Sequence, residues 1–247
     1  MTATPPNDPD AARPTFELDG HDVPFEEGQS ILQAALAAGK YVPYLCFHPE
    51  FEAHGSCKVC IVRVNGRTHA SCTQPAKQGD VVQSNVEDLN ELRKTLVQFL
   101  FTEGNHFCPS CEASGNCTLQ GVAYELGMTT AHYSPLFPNR PLDASHPEVL
   151  LDLNRCILCE LCVRASSLVD QKSIFALSGR GNTKHLIVNS ESGRLADTDL
   201  ATTDKAMSVC PVGVILRKRQ GFKTPIGERK YDAHPISEVA VGKPEDE

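Results

Sequence analysis

Cys156-Ile157-Leu158-Cys159-Glu160-Leu161-Cys162 is the stretch on which the reading of this chain turns. Three thiols stand at every third position, and far downstream a fourth, Cys210, is followed at once by Pro211. Working outward, Cys108, Cys111 and Cys117 form a second group directly after His106. Cys46, Cys57, Cys60 and Cys72 form a third group in C-x10-C-x2-C-x11-C spacing. Together the groups use all 11 cysteines of the 247-residue chain, with none left over.

An odd number of cysteines cannot pair completely as disulfides. No basic segment followed by an apolar run opens the chain, so a reducing, cytoplasmic compartment is expected, where thiols stay free. Metal is then the reading of the sulfur. The net charge is −8, from 31 acidic and 23 basic residues, which argues against nucleic acid as partner because phosphate neutralisation needs a basic surface. No run of 18 apolar residues is present, so no membrane span is expected. The 17 glycines, 17 prolines and absence of tryptophan predict many loops around small cores.

The coarse pattern is α+β and modular. Residues 1–14 read as a flexible leader. From Thr15, two short strands around Asp19-Gly20, a helix capped by Ser30 and ended by Gly39, and a second hairpin around Asn65-Gly66 give the order of a small β-grasp domain over 15–83. Ser84 with Glu87 predicts a capping box for a longer helix, whose stripe Leu89, Leu92, Leu96, Phe99 and Leu100 reads as core packing. A small helical domain over 84–131 carries the second group. Pro135, Pro138, Pro141 and Pro147 make 132–148 an irregular connector. Residues 149–216 form the last compact α+β unit, and 217–247 an extended tail.

Each donor set carries its own chemistry. Cys46, Cys57, Cys60 and Cys72 on a β-grasp frame suit a 2Fe-2S cluster, although four thiolates also build structural zinc sites. Cys108, Cys111 and Cys117 leave a 4Fe-4S core one ligand short. His106 is the nearest candidate, with His132, His48 and His54 as alternatives. Cys156, Cys159, Cys162 and Cys210 follow the bacterial ferredoxin pattern. The four positions where a twin cluster would need cysteines hold Ser166, Leu200, Thr203 and Ala206, so this unit reads as a ferredoxin domain reduced to one 4Fe-4S site. Amides at Ser110, Gly115, Asn116 and Gly213 are expected to face the buried cluster charge.

On these residues the chain resembles, over nearly its whole length, the N-terminal iron–sulfur region of the large complex I iron–sulfur subunit. It also resembles the segment preceding the catalytic domain of some FeFe-hydrogenases, and the small iron–sulfur subunit of the diaphorase half of NAD-reducing nickel–iron hydrogenase. The motifs are the C-x10-C-x2-C site, the loop ending Cys117-Thr118-Leu119-Gln120, and Cys210-Pro211-Val212-Gly213. The complex I pattern has H-x3-C before its second site; this chain has H-x-C. Only the tail follows Cys210, and this favours the diaphorase subunit. The resemblance implies a non-catalytic relay subunit of a hydrogen:NAD+ oxidoreductase, with a flavoprotein NAD(H)-binding subunit and nickel–iron subunits as partners. An NAD-linked formate dehydrogenase, a complex I-like assembly and a zinc-binding structural protein are the competing readings. No G-x-G-x-x-G, P-loop or catalytic triad is present, and Gly179-Arg180-Gly181 reads as a turn, so neither flavin nor nickel is placed in this chain. Arg217-Lys218-Arg219 with Lys223 is a basic run that is either solvated or docks an acidic partner.

Overall fold

The computed structural model describes residues 13–242, so most of the expected leader lies outside it. Alternation of buried and exposed side chains in Thr15–Leu18 (β1) sets one face of the N-terminal unit against a core. Asp19 and Gly20 both take positive φ, which turns the chain tightly into His21–Pro24 (β2). Ser30 then caps Ile31–Ala37 (α1) in a reciprocal capping box with Gln33, and Gly39 at φ 69° lets the chain leave the helix. Asn65 and Gly66 repeat the positive-φ turn between Ile61–Val64 (β3) and Arg67–Ala70 (β4).

Val81–Gln83 (β5) completes a five-stranded sheet in the order β2-β1-β5-β3-β4, with β5 parallel to β1 and antiparallel to β3. Phe16, Leu18, Val23, Ile31, Leu32, Val62 and Val82 fill the space between sheet and α1. Cys60 and Cys72 belong to this core, so the first thiol set is anchored by the most regular part of the chain.

The long helix is Glu87–Thr102 (α2), and it differs from the expectation at both its start and its face. Ser84 makes no cap. It is buried, its N–H donates to Asp19, and its carbonyl and hydroxyl accept from Arg93. The buried face runs through Leu89, Arg93, Val97 and Thr102, whereas Leu92 and Phe99 are exposed. The inward stripe therefore contains a cation, which apolar counting cannot detect. Phe99 instead stacks on Tyr133 of the connector at 4.9 Å between ring centroids.

Thr118–Glu125 (α3) follows the second thiol set. The connector is not wholly irregular: Leu142–Asp143 (β6) pairs with Val149–Asp152 (β7), which pairs with Ile215–Arg217 (β10). Between them lie Leu161–Leu168 (α4) and the hairpin Phe175–Ser178 (β8) with His185–Val188 (β9). In the tail, Ile236–Val239 (α5) packs on α3, with Ile236 and Tyr231 against Gly121.

Three of the four positions that lack twin-site cysteines are absorbed by ordinary packing, and Thr203 is exposed. Ser166 is buried and its hydroxyl accepts from the Ile174 N–H, while Leu200 and Ala206 enter the core. Lys172 closes the same region by donating to both carboxylate oxygens of Asp204 and to the Asp199 carbonyl.

The capping box gives a stability test. Ser30→Ala should lower the unfolding free energy by about 1 kcal/mol. A chemical-denaturation midpoint equal to that of the unaltered chain would show that the cap contributes nothing.

Candidate metal centres

The first thiol set lies in the loop between α1 and β3, which carries Cys46, Cys57 and Cys60, and just after β4, where Cys72 stands. Lys58 takes φ 57° inside Cys57-Lys58-Val59-Cys60, curling the segment so that two sulfurs face one side. The sulfurs associate two by two. The Cys57 N–H donates to the Cys46 Sγ at 3.5 Å, and the two side chains share a hydrogen bond that draws Cys46 down to about 5 and pushes Cys57 up. Cys60 and Cys72 form the other pair, which draws Cys60 down to about 7 and Cys72 far up.

The second set lies on a short 3₁₀ turn, Cys108–Ser110, and at the start of α3. Burial pushes Cys117 up to about 12, opposed by the Gln120 and Leu119 N–H groups of the first turn of α3. His106 is the one histidine of the four candidates held inside this region. Burial, then Arg140 and Arg155, press it down to about 4, so its ring stays neutral. Its Nε2 is buried without any hydrogen-bond partner. Arg155 neighbours His106, Cys108 and Cys111 alike. His132 is exposed, His48 stacks on Phe51 beside the first set, and His54 faces Glu160.

The third set lines one recess, whose other walls include Leu177, Leu186, Val212 and Val214. Leu158 and Glu160 both take positive φ, wrapping the Cys156–Cys162 loop around it. Burial raises all four thiols, Cys156 to about 11. Backbone N–H groups oppose this at Cys156 from Leu158, at Cys159 from Leu161, and at Cys210 from Val212, Val214 and Ile215. These amides, rather than those of Ser110, Gly115 and Asn116, serve sulfur. The N–H groups of Ser110, Gly115 and Asn116 are spent on Phe107, Gln120 and Ala113.

The three sets form a row with the third in the middle. Arg164 on α4, two residues after Cys162, donates to the Cys46 carbonyl at 2.7 Å and to the Glu52 carbonyl at 2.8 Å. On the other side, the Thr118 N–H donates to the Pro211 carbonyl at 2.8 Å. Arg155 joins Glu112 and Asp152 and donates to the Gly213 carbonyl. Arg140 donates to the Cys156 and Glu103 carbonyls. None of these arginines was singled out by spacing, although Arg155 adjoins Cys156 and Arg93 interrupts an apolar stripe.

The donors suit polynuclear iron–sulfur cores. Every set is sulfur-rich, and His106 offers an unpartnered lone pair. Two glycines leave room where a Cβ would intrude: at Gly104 it would meet His106 Nε2 at 2.6 Å, and at Gly213 it would meet Cys111 Sγ at 3.2 Å. Among the described residues, no three His, Cys, Asp or Glu side chains converge to hold a single ion. Half of the basic run has partners within the chain: Lys218 donates to the Ala144 and His146 carbonyls and Arg217 to that of Thr202, while Arg219 and Lys223 are exposed.

Known proteins match these units in order. Residues 11–87 match the 2Fe-2S iron-sulfur cluster binding domain family, 93–132 the NADH-ubiquinone oxidoreductase-G iron-sulfur binding region, and 149–216 the 4Fe-4S single cluster domain. One subunit of the Rickettsia typhi NADH-quinone oxidoreductase is 28% identical over 219 residues, a match spanning 87% of this chain and 32% of that protein. The gamma subunit of the NAD-reducing hydrogenase HoxS of Cupriavidus necator is 38% identical over 225 residues, 91% of this chain and 95% of that one. A chain in the crystal structure of an NAD+-reducing nickel–iron hydrogenase in the H2-reduced state superposes with a TM-score of 0.90 at 52% identity, over 94% of this chain and 98% of that chain. With 38% identity to the HoxS gamma subunit along nearly the full length of both chains, the chain belongs to the family of the gamma, iron–sulfur subunit of NAD-reducing hydrogenases.

Proposed function

We propose that Cys46, Cys57, Cys60 and Cys72 hold one 2Fe-2S cluster on a β-grasp frame spanning 15–83. In the same reading His106, Cys108, Cys111 and Cys117 hold one 4Fe-4S cluster within 84–131, and Cys156, Cys159, Cys162 and Cys210 hold a second within 149–216. The chain is an iron–sulfur subunit of an NAD+-reducing hydrogenase and relays electrons; this reading gives it no catalytic residues of its own. The observation that carries the reading is the row, in which the third set touches the other two through Arg164 and through Pro211 and Gly213.

When bound, the clusters supply one-electron transfer. The chain's own residues position and shield them. Backbone N–H groups aimed at Cys117, Cys156, Cys159 and Cys210 stabilise the charged sulfurs that burial alone would keep protonated. The two-by-two association of the first set supports a site shared between two irons. His106 serves as a neutral donor in place of a fourth thiolate, giving the second site one negative charge fewer.

A flavoprotein that handles NAD(H) and subunits that handle H2 through nickel–iron are the partners this reading implies, with the cytoplasm as compartment. Among the described residues, no helix is long and apolar enough to cross a membrane. The near-complete coverage of the HoxS gamma chain favours hydrogenase over the formate dehydrogenase and complex I-like alternatives.

The anaerobically purified complex should yield about 10 iron and about 10 sulfide per copy of this chain beyond the partners' own content. Zinc in place of iron would overturn the assignment. In Cys57→Ser the 2Fe-2S EPR signal should vanish while both 4Fe-4S signals persist. His106→Cys should lower the potential of one 4Fe-4S signal in a redox titration, because a thiolate adds negative charge. An unmoved potential would remove His106 from the donor set.

A further inference from the structure

Arg93 is 1% exposed, one of the largest fully buried side chains in the protein, and the net charge of the chain gives no reason to bury a cation there. Its environment is unusual in kind. All five guanidinium N–H groups have partners, and every partner is neutral. Nε donates to the Val59 carbonyl at 3.2 Å, and Nη2 to the Ile61 carbonyl and to the Ser84 hydroxyl at 3.0 Å. Nη1 donates to the Ser84 carbonyl and to Asn90 Oδ1, both at 2.8 Å. No ion pair with a carboxylate is made by Arg93 among the described residues.

A buried charge without a counter-charge is strongly unfavourable, and removing one partner of a buried pair leaves just such a charge. Two of the three carbonyls that Arg93 grips belong to Val59 and Ile61, the residues on either side of Cys60. The missing anion is therefore at hand. Cys60 is the largest influence holding the Arg93 guanidinium charged against its burial, ahead of Asp19, whose carboxylate is committed to the Ser84 and Asn85 N–H groups.

We propose that Arg93 is the counter-charge of the four-cysteine site, a positioning residue whose fixed positive charge raises the reduction potential of the 2Fe-2S cluster held there. This rests on the assignment of Cys46, Cys57, Cys60 and Cys72 given above. Taking up one electron adds one negative charge behind the protein surface, and a cation clamped beside Cys60, with little water to screen it, favours that reduced state. The other arginines on the row are placed differently. Arg155 shares its charge with Glu112 and Asp152, and Arg164 and Arg140 are only partly buried, so Arg93 acts with the least screening.

The test is an EPR-monitored redox titration of the 2Fe-2S signal in the assembled hydrogenase, with the 4Fe-4S signals as internal references. R93Q, which keeps hydrogen-bonding capacity and loses the charge, should shift the one-electron equilibrium toward the oxidised form about tenfold or more, equivalent to about 59 mV downward per tenfold. R93K, which keeps the charge and loses most of the clamp, should stay within about twofold of the unaltered protein. Equal shifts in R93Q and R93K, or none in R93Q, would overturn the proposal in favour of a purely mechanical clamp. Should R93Q fail to assemble, N90D decides. It retains Arg93 and places a carboxylate on Nη1 in the first turn of α2, where acidic residues are favoured, and the potential should again fall. An N90D potential equal to that of the unaltered protein would also overturn the proposal. Absence of any 2Fe-2S signal in the unaltered complex would instead refute the site assignment, so the two failures are distinguishable.

Discussion

Sulfur charge held away from water is the constraint on which the rest of this structure depends. A thiolate in a poorly solvated recess is disfavoured unless N–H dipoles or cations face it. The chain meets that demand mainly with backbone. Residues with positive φ at Lys58, Leu158 and Glu160 curl the ligand loops so that successive amides face one side, the geometry that makes anion-binding concavities elsewhere in proteins. The start of α3 does the same for Cys117 with two N–H groups. Regular structure is sparse because the loops have this task, and the strands and helices serve to hold them at fixed spacing.

The same demand explains where the arginines are. Arg140, Arg155 and Arg164 all reach carbonyls on or beside the ligand loops, and each crosses from one unit to another, Arg155 through its ion pair with Glu112. They are at once cations near anionic sites and the ties that fix the units against each other. Relay between centres depends on separation and burial, both of which are set by these crossings, so packing between units and electron transfer are one problem here rather than two.

Much of this was legible in the sequence because cysteine spacing is a direct record of ligand geometry. Turn residues were equally direct: Asp19-Gly20, Asn65-Gly66, Ser30 and Gly39 act locally, and the structure uses each as its chemistry dictates. What failed were inferences that depend on distant partners. Ser84 has the spacing of a helix cap, yet Arg93 and Asp19 claim its polar groups. Leu92 and Phe99 have the spacing of core residues, yet the helix is rotated so that Arg93 points inward. Gly115 and Asn116 lie where amides could face a cluster, but side-chain and loop carbonyls take their N–H groups first. Spacing of apolar residues gives a helix its amphipathic period, and only tertiary contacts select which phase of that period faces in.

The tail adds a temporal dimension. Arg229 reaches the Ser114 carbonyl from 115 positions further along the chain, the Tyr231 N–H donates to the Gly115 carbonyl, and the Lys230 N–H donates to Asn116 Oδ1. A Cβ at Gly115 would collide with the Arg229 side chain, so the loop between Cys111 and Cys117 is shaped to receive that segment. During synthesis from the N-terminus the five-stranded sheet can close as soon as β5 has left the ribosome. The middle loop cannot reach its final form until residues 229–231 have emerged, so its order of completion does not follow its place in the chain.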